Sequence, residues 1–267
     1  EFLPISSSGH LALFQTFFGM ENMEEKYMFF TVLLHFGTLI SVCMVYWRDI
    51  VDMIREFFLG IAALAGRKDT GVAPPPARRM VMLIIIATVP LFVMVFLQDA
   101  VNQLFSNSIM VSCALLATGF ILFFSDRMAR GHKTARNATV ADALIVGCGQ
   151  ALAVIPGLSR SGTTISVGMM RGFDRAFAVR FSFLMSLPAV LGANVLEIKD
   201  ALASNFPIEE LPMYLVGVAV SAVVGYFAIR LVKSLSDKGK FGKFAYYCWA
   251  VGLGSLVAGI VKMMLLK

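Results

Sequence analysis

Residues 80–98, MVMLIIIATVPLFVMVFLQ, contain no charged side chain, and 108–125, SIMVSCALLATGFILFFS, are built the same way. A continuous apolar run of roughly 20 residues, wound as an α-helix, matches the roughly 30 Å hydrocarbon core of a bilayer. Helices rather than barrel strands are implied, because the apolar residues run on instead of alternating. The same criterion predicts spans near 29–47, 179–197, 211–234 and 244–266. With 58% of residues hydrophobic and a mean hydropathy of +0.78, the chain lies well beyond the roughly 45–50% apolar content of soluble domains. The expected fold class is an all-α integral membrane protein, one polytopic domain over residues 1–267.

The formal charge of +6 is placed between these runs. Residues 48–79 carry Arg48, Arg55, Arg67, Lys68, Arg78 and Arg79; residues 126–138 carry Arg127, Arg130, Lys133 and Arg136; residues 235–243 carry Lys238, Lys240 and Lys243. Short loops rich in Lys and Arg are expected on the cytoplasmic side. Connections 21–28, 99–107 and 198–210 are poor in both and are expected outside. Basic residues scattered over short loops do not form a nucleic-acid footprint, so no such partner is expected. Cys43, Cys113, Cys148 and Cys248 fall singly in apolar segments and read as packing residues.

Residues 143–170 break the alternation of sides. Their only charge is Arg160, Pro156-Gly157 interrupts them, and both flanks look cytoplasmic. A straight crossing would leave the next loop on the wrong side, whereas a re-entrant hairpin with arms of about 10–14 residues would not. Residues 1–20 look like the second arm of a matching hairpin. Laying Gly9 on Gly162 aligns PISSSGH with PGLSRSGT, with one extra residue in the second copy, and FTVLLHFGTLIS (30–41) matches FSFLMSLPAVLG (181–192). The chain therefore reads as two copies of one unit: repeat 1 about 1–125, a cytoplasmic linker 126–138 and repeat 2 about 139–267. Each unit would be a re-entrant hairpin plus three transmembrane helices, and an odd number of crossings gives the second copy inverted topology. Sites in such proteins usually lie where the two helix breaks meet. The chain begins with Glu rather than Met and inside the motif, so repeat 1 is expected to be N-terminally incomplete.

Irregular backbone at membrane depth survives only where it is buried in protein or lines a wet cavity. The two Ser/Gly turns therefore imply a shared polar cavity, with helix N-termini pointing into it, an arrangement that favours phosphate. Candidate phosphate-binding residues are Ser6, Ser8, Gly9, Ser159, Ser161, Gly162, Thr163 and Thr164, with Ser7 as a further hydroxyl. Arg160 is the sharpest signal. An arginine inside a membrane is costly and marks function by default, and its planar fork suits phosphate; the competing explanation is a snorkelling interfacial arginine. His10 directly follows a turn, beside a hydroxyl and a carboxylate, and suits acid–base or nucleophilic work, although a lone histidine can simply be a hydrogen-bonded core residue. Glu1 could activate His10 or help bind a divalent cation, or be a solvated chain end. His35, mid-span, reads as a helix–helix hydrogen bond and His132 as a solvated loop residue, while Gly217, Ser221 and Gly225 form a stripe for close helix packing.

In EFLPISSSGHL and PGLSRSGTTIS, with FSFLMSLPA behind the second, the sequence resembles the undecaprenyl-diphosphatase family, bacterial membrane enzymes also known for bacitracin resistance. The resemblance implies removal of the terminal phosphate of undecaprenyl diphosphate in the bacterial inner membrane. The product would be the monophosphate carrier of peptidoglycan synthesis. It implies functional roles for Glu1, Ser7, His10 and Arg160. The family pattern also has an acidic residue four positions before Glu1, ahead of the first residue here; its repeat partner would be Gln150, in a supporting role. Arg160, the helix N-termini and Mg²⁺ or Ca²⁺, with Glu1 as a ligand, would clamp the diphosphate. Ser7 would then attack with His10 or Glu1 as base; a phospho-His10 intermediate with Ser7 as donor stays open. Expected partners are the polyprenyl diphosphate, held in a lipid-open groove, membrane lipid and a second copy in a homodimer. The competing function is a polyprenyl-lipid flippase or secondary transporter, whose cavity would open to each side in turn, whereas hydrolysis needs one mouth, expected on the outer face. A rhomboid-like serine protease would place Ser and His on separate spans, unlike this motif.

Overall fold

The computed structural model describes residues 1–19, 28–66, 74–97, 101, 103, 104, 107–203 and 210–265. Its helices are α1 (Ser7–Phe18), α2 (Met28–Gly66), α3 (Pro76–Thr88), α4 (Leu91–Val95), α5 (Ser108–Met128), α6 (Val140–Leu152), α7 (Arg160–Met170), α8 (Arg175–Ala203), α9 (Leu211–Asp237) and α10 (Phe244–Leu265). Among the described residues the only β pairing is an isolated bridge between Lys133 and Phe173.

Among the described residues six segments are long and apolar enough to cross a membrane: Phe29–Ala63, Pro76–Val95, Ser108–Met128, Arg175–Gly192, Leu211–Asp237 and Phe241–Leu265. They fall on the six expected spans and define a multi-pass membrane protein. Two differ from expectation in detail. The charged segment after Arg48, expected as a cytoplasmic loop, instead continues α2, which bends at Tyr46 (φ −113°, ψ 25°). At 39 residues and 1.5 Å per residue, α2 is about 58 Å long, nearly twice a bilayer core. The span near 80–98 is interrupted between α3 and α4 at Val89-Pro90, where proline supplies no amide to the helix ladder. Most of the expected outer connections lie outside the described residues.

Residues 143–170 form two short packed helices rather than one span. α6 has 13 residues and α7 has 11, about 20 Å and 16 Å, each too short to cross. A capping box closes the start of α6: Thr139 Oγ1 accepts from Asp142 N, and the Asp142 carboxylate accepts from Thr139 N. Helix α7 is enclosed by α5, α6 and α8, with Ser161 to Ser166, Gly168 and Met169 all buried. By contrast α9 and α10 expose Val216, Val220, Phe227, Val257 and Met264, side chains suited to lipid. The buried core gathers Phe173, Phe177, Phe181 and Phe183 around α7 and α8, and Phe2 packs edge-on to Phe183 with ring centroids 5.5 Å apart. The segment ahead of α1 is thus part of the interior.

Lacking a hydrophobic drive between helices, a membrane bundle depends on close contact and polar links. The Gly217–Ser221–Gly225 stripe of α9 supplies both against α2: Gly217 lies on Phe30, Gly225 on Ser41, and the Ser221 hydroxyl donates to Leu34 O at 2.9 Å. Ser112 and Ser255 join α5 to α10 at 2.8 Å. One end of the bundle is tied by charge. Arg175 pairs with Asp126, whose other oxygen accepts from Gly242 N; Asp142 takes Lys133 at 2.8 Å and Arg171 at 2.9 Å. Burial alone would raise the Asp142 pKa, but these cations and Thr139 hold its carboxyl well below the usual carboxylate range. The segments 126–142, 171–175 and 236–242 therefore meet at a single basic end.

Candidate active site

The two Ser/Gly turns are built alike. Ser6 caps α1 by accepting from Gly9 N at 3.2 Å, and Ser159 caps α7 by accepting from Gly162 N at 3.1 Å. Each capping hydroxyl also lies near the serine two residues on, Ser6 to Ser8 at 3.5 Å and Ser159 to Ser161 at 3.4 Å. Ser7 and Arg160 are consequently equivalent, each the first residue of its helix. Ser6 differs in one respect: with φ +63° it is the only described non-glycine residue in the left-handed region, a conformation that costs on the order of 1–3 kcal/mol and concentrates at functional sites.

The turns also touch each other. A methyl group added at Gly9 would sit 2.8 Å from Gly157 Cα, and one added at Gly162 would sit 3.2 Å from Pro4 Cβ. Counted back from Gly9 and Gly162 without a gap, Pro4 falls on Gly157, the extra residue lying before it, so the contact is reciprocal. Ser6 Oγ completes it by donating to Leu158 O at 3.3 Å. The backbone groups freed by the second turn find a partner in α5: Thr118 Oγ1 donates to Gly157 O at 2.9 Å and accepts from Ser159 N at 3.2 Å. At the first turn, Cys248 of α10 donates to Pro4 O at 3.6 Å. Thr118 and Cys248 thus serve equivalent carbonyls.

Arg160 forms an ion pair with Glu1, so these two candidate residues are brought together. The second Glu1 oxygen is buried without a hydrogen-bond partner. His35 and Thr38 of α2 lie close enough to interact electrostatically with this carboxylate; the helix–helix role read for His35 overlooked that neighbour. His10 Nδ1 is 2.7 Å from Ser6 O and Nε2 is 3.0 Å from the hydroxyl of Tyr247. Ser7 is exposed, and it stands three residues before His10, on the same face of α1. Thr163 Oγ1 and both amide atoms of Gln150 are buried and unpartnered, whereas Thr164 Oγ1 donates to Arg160 O at 2.8 Å and lies 2.5 Å from Ser182 Oγ. Ser6, Ser159 and Thr164 thus use their hydroxyls to shape the turns. Tyr247, Thr118 and Thr38 were missed by the sequence reading. Each comes from a span far along the chain and carries no motif of its own.

The family model described as Bacitracin resistance protein BacA matches residues 1–254. The chain belongs to that family. An undecaprenyl-diphosphatase of Alkaliphilus metalliredigens is 41% identical over 253 residues, covering 94% of this chain and 91% of the relative. Undecaprenyl-diphosphatases of Methanosphaera stadtmanae and Methanobrevibacter smithii are 37% and 40% identical, each covering 98% of this chain and 94% of the relative.

Proposed function

We propose that this protein hydrolyses undecaprenyl diphosphate to undecaprenyl phosphate and inorganic phosphate at the outer face of the bacterial inner membrane, recycling the lipid carrier for cell-wall synthesis. The observation that carries this is the reciprocal Gly9–Gly157 and Gly162–Pro4 contact, which puts a hydroxyl, an imidazole, a carboxylate and a guanidinium around one pair of helix N-termini. Identical capping of both turns supports two copies of one unit. So does the pairing of helices, in which α2 packs on α8, α5 on α10, and both α2–α9 and α3–α8 are in contact. With the basic end of the bundle in the cytoplasm, the second unit is inverted and α6–α7 is its re-entrant hairpin.

Arg160 and the amides at the two helix starts hold the diphosphate, since phosphoryl transfer needs positioning and charge neutralisation above all. Ser7 Oγ bonds to the terminal phosphorus as the bridging P–O bond breaks, its proton passing to His10 Nε2, and undecaprenyl phosphate leaves. His10 passes that proton to the departing undecaprenyl phosphate, takes one from the water that attacks the phosphoserine, and returns it to Ser7 Oγ as inorganic phosphate leaves. Glu1 is the weaker candidate for base because Arg160 already engages it. Gln150 and Thr163, with polar atoms buried and unpartnered, are placed to support the bound phosphate. Among the described residues no group of three or more His, Cys, Asp or Glu side chains could hold a metal. The free Glu1 oxygen still fits Mg²⁺ or Ca²⁺ bound chiefly through substrate phosphates and water, where the ion would neutralise phosphate charge. Every group named comes from one chain; a homodimer is a separate proposal, checked by the mass of the solubilised particle.

An apolar groove of about 370 Å³ runs from His10 between α1 and α10, past Leu13, Phe17, Val251, Gly254 and Ala258. It leads away from the basic end toward Lys262, which donates to Thr16 O at 2.7 Å, and it suits the first isoprene units of the lipid. A methyl group added at Gly254 would meet nothing within 4 Å. Gly254→Phe is therefore expected to fill the groove without disturbing the fold. KM for undecaprenyl diphosphate should rise about tenfold, and that for a five-carbon prenyl diphosphate should stay unchanged. Equal effects on both would remove the tail from this groove. The function itself is tested by phosphate release from undecaprenyl diphosphate by the purified protein with Mg²⁺ or Ca²⁺. No release with either ion, together with movement of the lipid across vesicle leaflets, would favour the transporter instead.

A further inference from the structure

The imidazole of His10 is held at both nitrogens. Ser6 O is a carbonyl and can only accept, so at 2.7 Å the neutral ring must carry its proton on Nδ1. Nε2 is then a bare acceptor, and the group 3.0 Å from it is the Tyr247 hydroxyl, which must donate. The two rings lie nearly parallel, 16° apart with centroids separated by 5.6 Å. Tyr247 is therefore bound to the imidazole by a stacked face as well as by its hydroxyl.

The position of Tyr247 adds to this. It lies one turn before Val251, which lines the apolar groove that begins at His10. Its hydroxyl thus stands where a diphosphate head would give way to an apolar tail. The pair also has no counterpart in the second turn: the register of the repeats lays His10 on Thr163, and the equivalence of Cys248 with Thr118 lays Tyr247 on Ala117. Only the turn that carries Ser7 has an imidazole with a phenol against it.

We propose that Tyr247 is a positioning residue for the phosphatase chemistry, fixing His10 with Nε2 as the proton-accepting atom and turned to the mouth of the tail groove. The phenol can serve both protonation states. It donates to the neutral ring at rest; rotation about its C–O bond turns that hydrogen away as the single Nε2 lone pair takes the Ser7 proton, and its oxygen then accepts from Nε2–H, so the ring keeps its place through the cycle. This rests on the role given to His10 above.

The test uses the full chain in detergent with undecaprenyl diphosphate. Tyr247→Phe keeps the stacked ring and removes the hydroxyl; it should lower kcat about three- to tenfold, the size of one neutral hydrogen bond, with KM within about twofold. Tyr246→Phe, whose ring packs against Trp249 and Phe123 instead, should keep the wild-type kcat. A second readout does not depend on turnover. The chain has three histidines, and in ¹⁵N-histidine spectra the His10 Nε2 resonance, assigned by His10→Gln, should move toward that of an unbonded imidazole nitrogen in Tyr247→Phe. Wild-type kcat and an unmoved Nε2 resonance in Tyr247→Phe, with His10→Gln inactive, would overturn this inference alone. Wild-type turnover by His10→Gln would overturn the base assigned to the reaction and this inference with it.

Discussion

Arg160→Ala is expected to lower kcat/KM for undecaprenyl diphosphate by about 10²–10³-fold, the usual loss when one charge-stabilising donor is removed from a reaction centre. Two consequences of the geometry add up here. The guanidinium is the side-chain cation held at the Glu1 carboxylate, and it sits at the first position of α7, where the helix amides point toward an anion. Removing it leaves Glu1 Oε1 without its ion-pair partner and turns a phosphate-attracting site into a repelling one. Arg160→Lys should recover about tenfold relative to alanine, restoring charge without the planar fork. Steady-state phosphate release by the folded variants measures this. An alanine variant within tenfold of wild type would show that the phosphate is held elsewhere.

Gly9→Ala should be comparably damaging for a different reason. Its new methyl group would lie 2.8 Å from Gly157 Cα and 3.1 Å from Gly157 N, backbone atoms that cannot swing aside as a flexible side chain could. The turns must separate by a fraction of an ångström or more, at a cost of about 1–3 kcal/mol in stability. Misplacement of a reacting group on this scale can lower turnover about 100-fold. Gly192→Ala, where nothing lies within 4 Å of the added carbon, should change neither. Thermal unfolding in detergent and phosphate release report the two effects separately. A fully active Gly9→Ala would mean that close apposition of the turns is dispensable.

The two turns were legible in the sequence because they carry the same short motif twice and because Arg160 stands alone in an uncharged stretch. Local chemistry, a serine cap followed by glycine, determines both the motif and the fold there. The hairpin of α6 and α7 was legible for a related reason, since Pro156-Gly157 breaks a run whose flanks share a charge character. What could not be read were contacts made by residues without local signals. Thr118 looks like any small residue in a packed span, yet it serves both Gly157 O and Ser159 N. Tyr247 sits in an aromatic stretch typical of a membrane interface, and only the fold brings it to His10. His35 carries no local sign of its proximity to Glu1, because that neighbour lies at the other end of a tertiary contact. The length of α2 has a different origin: no Gly or Pro occurs from 38 to 59, so the helix signal runs on through the charges after Arg48, which mark the side of the membrane rather than a loop.

The central claim, that hydrolysis takes place where the two turns meet with Ser7 as nucleophile, is tested most directly by single-turnover release of phosphate. Wild-type protein and Ser7→Ala are compared in the same detergent on undecaprenyl diphosphate labelled in the terminal phosphate. Wild type should release one labelled phosphate per lipid and leave the monophosphate. Ser7→Ala should be slower by about 10³-fold or more while unfolding at the same temperature, since Ser7 is exposed and Ser6 provides the cap. Near-normal release by Ser7→Ala would contradict the account.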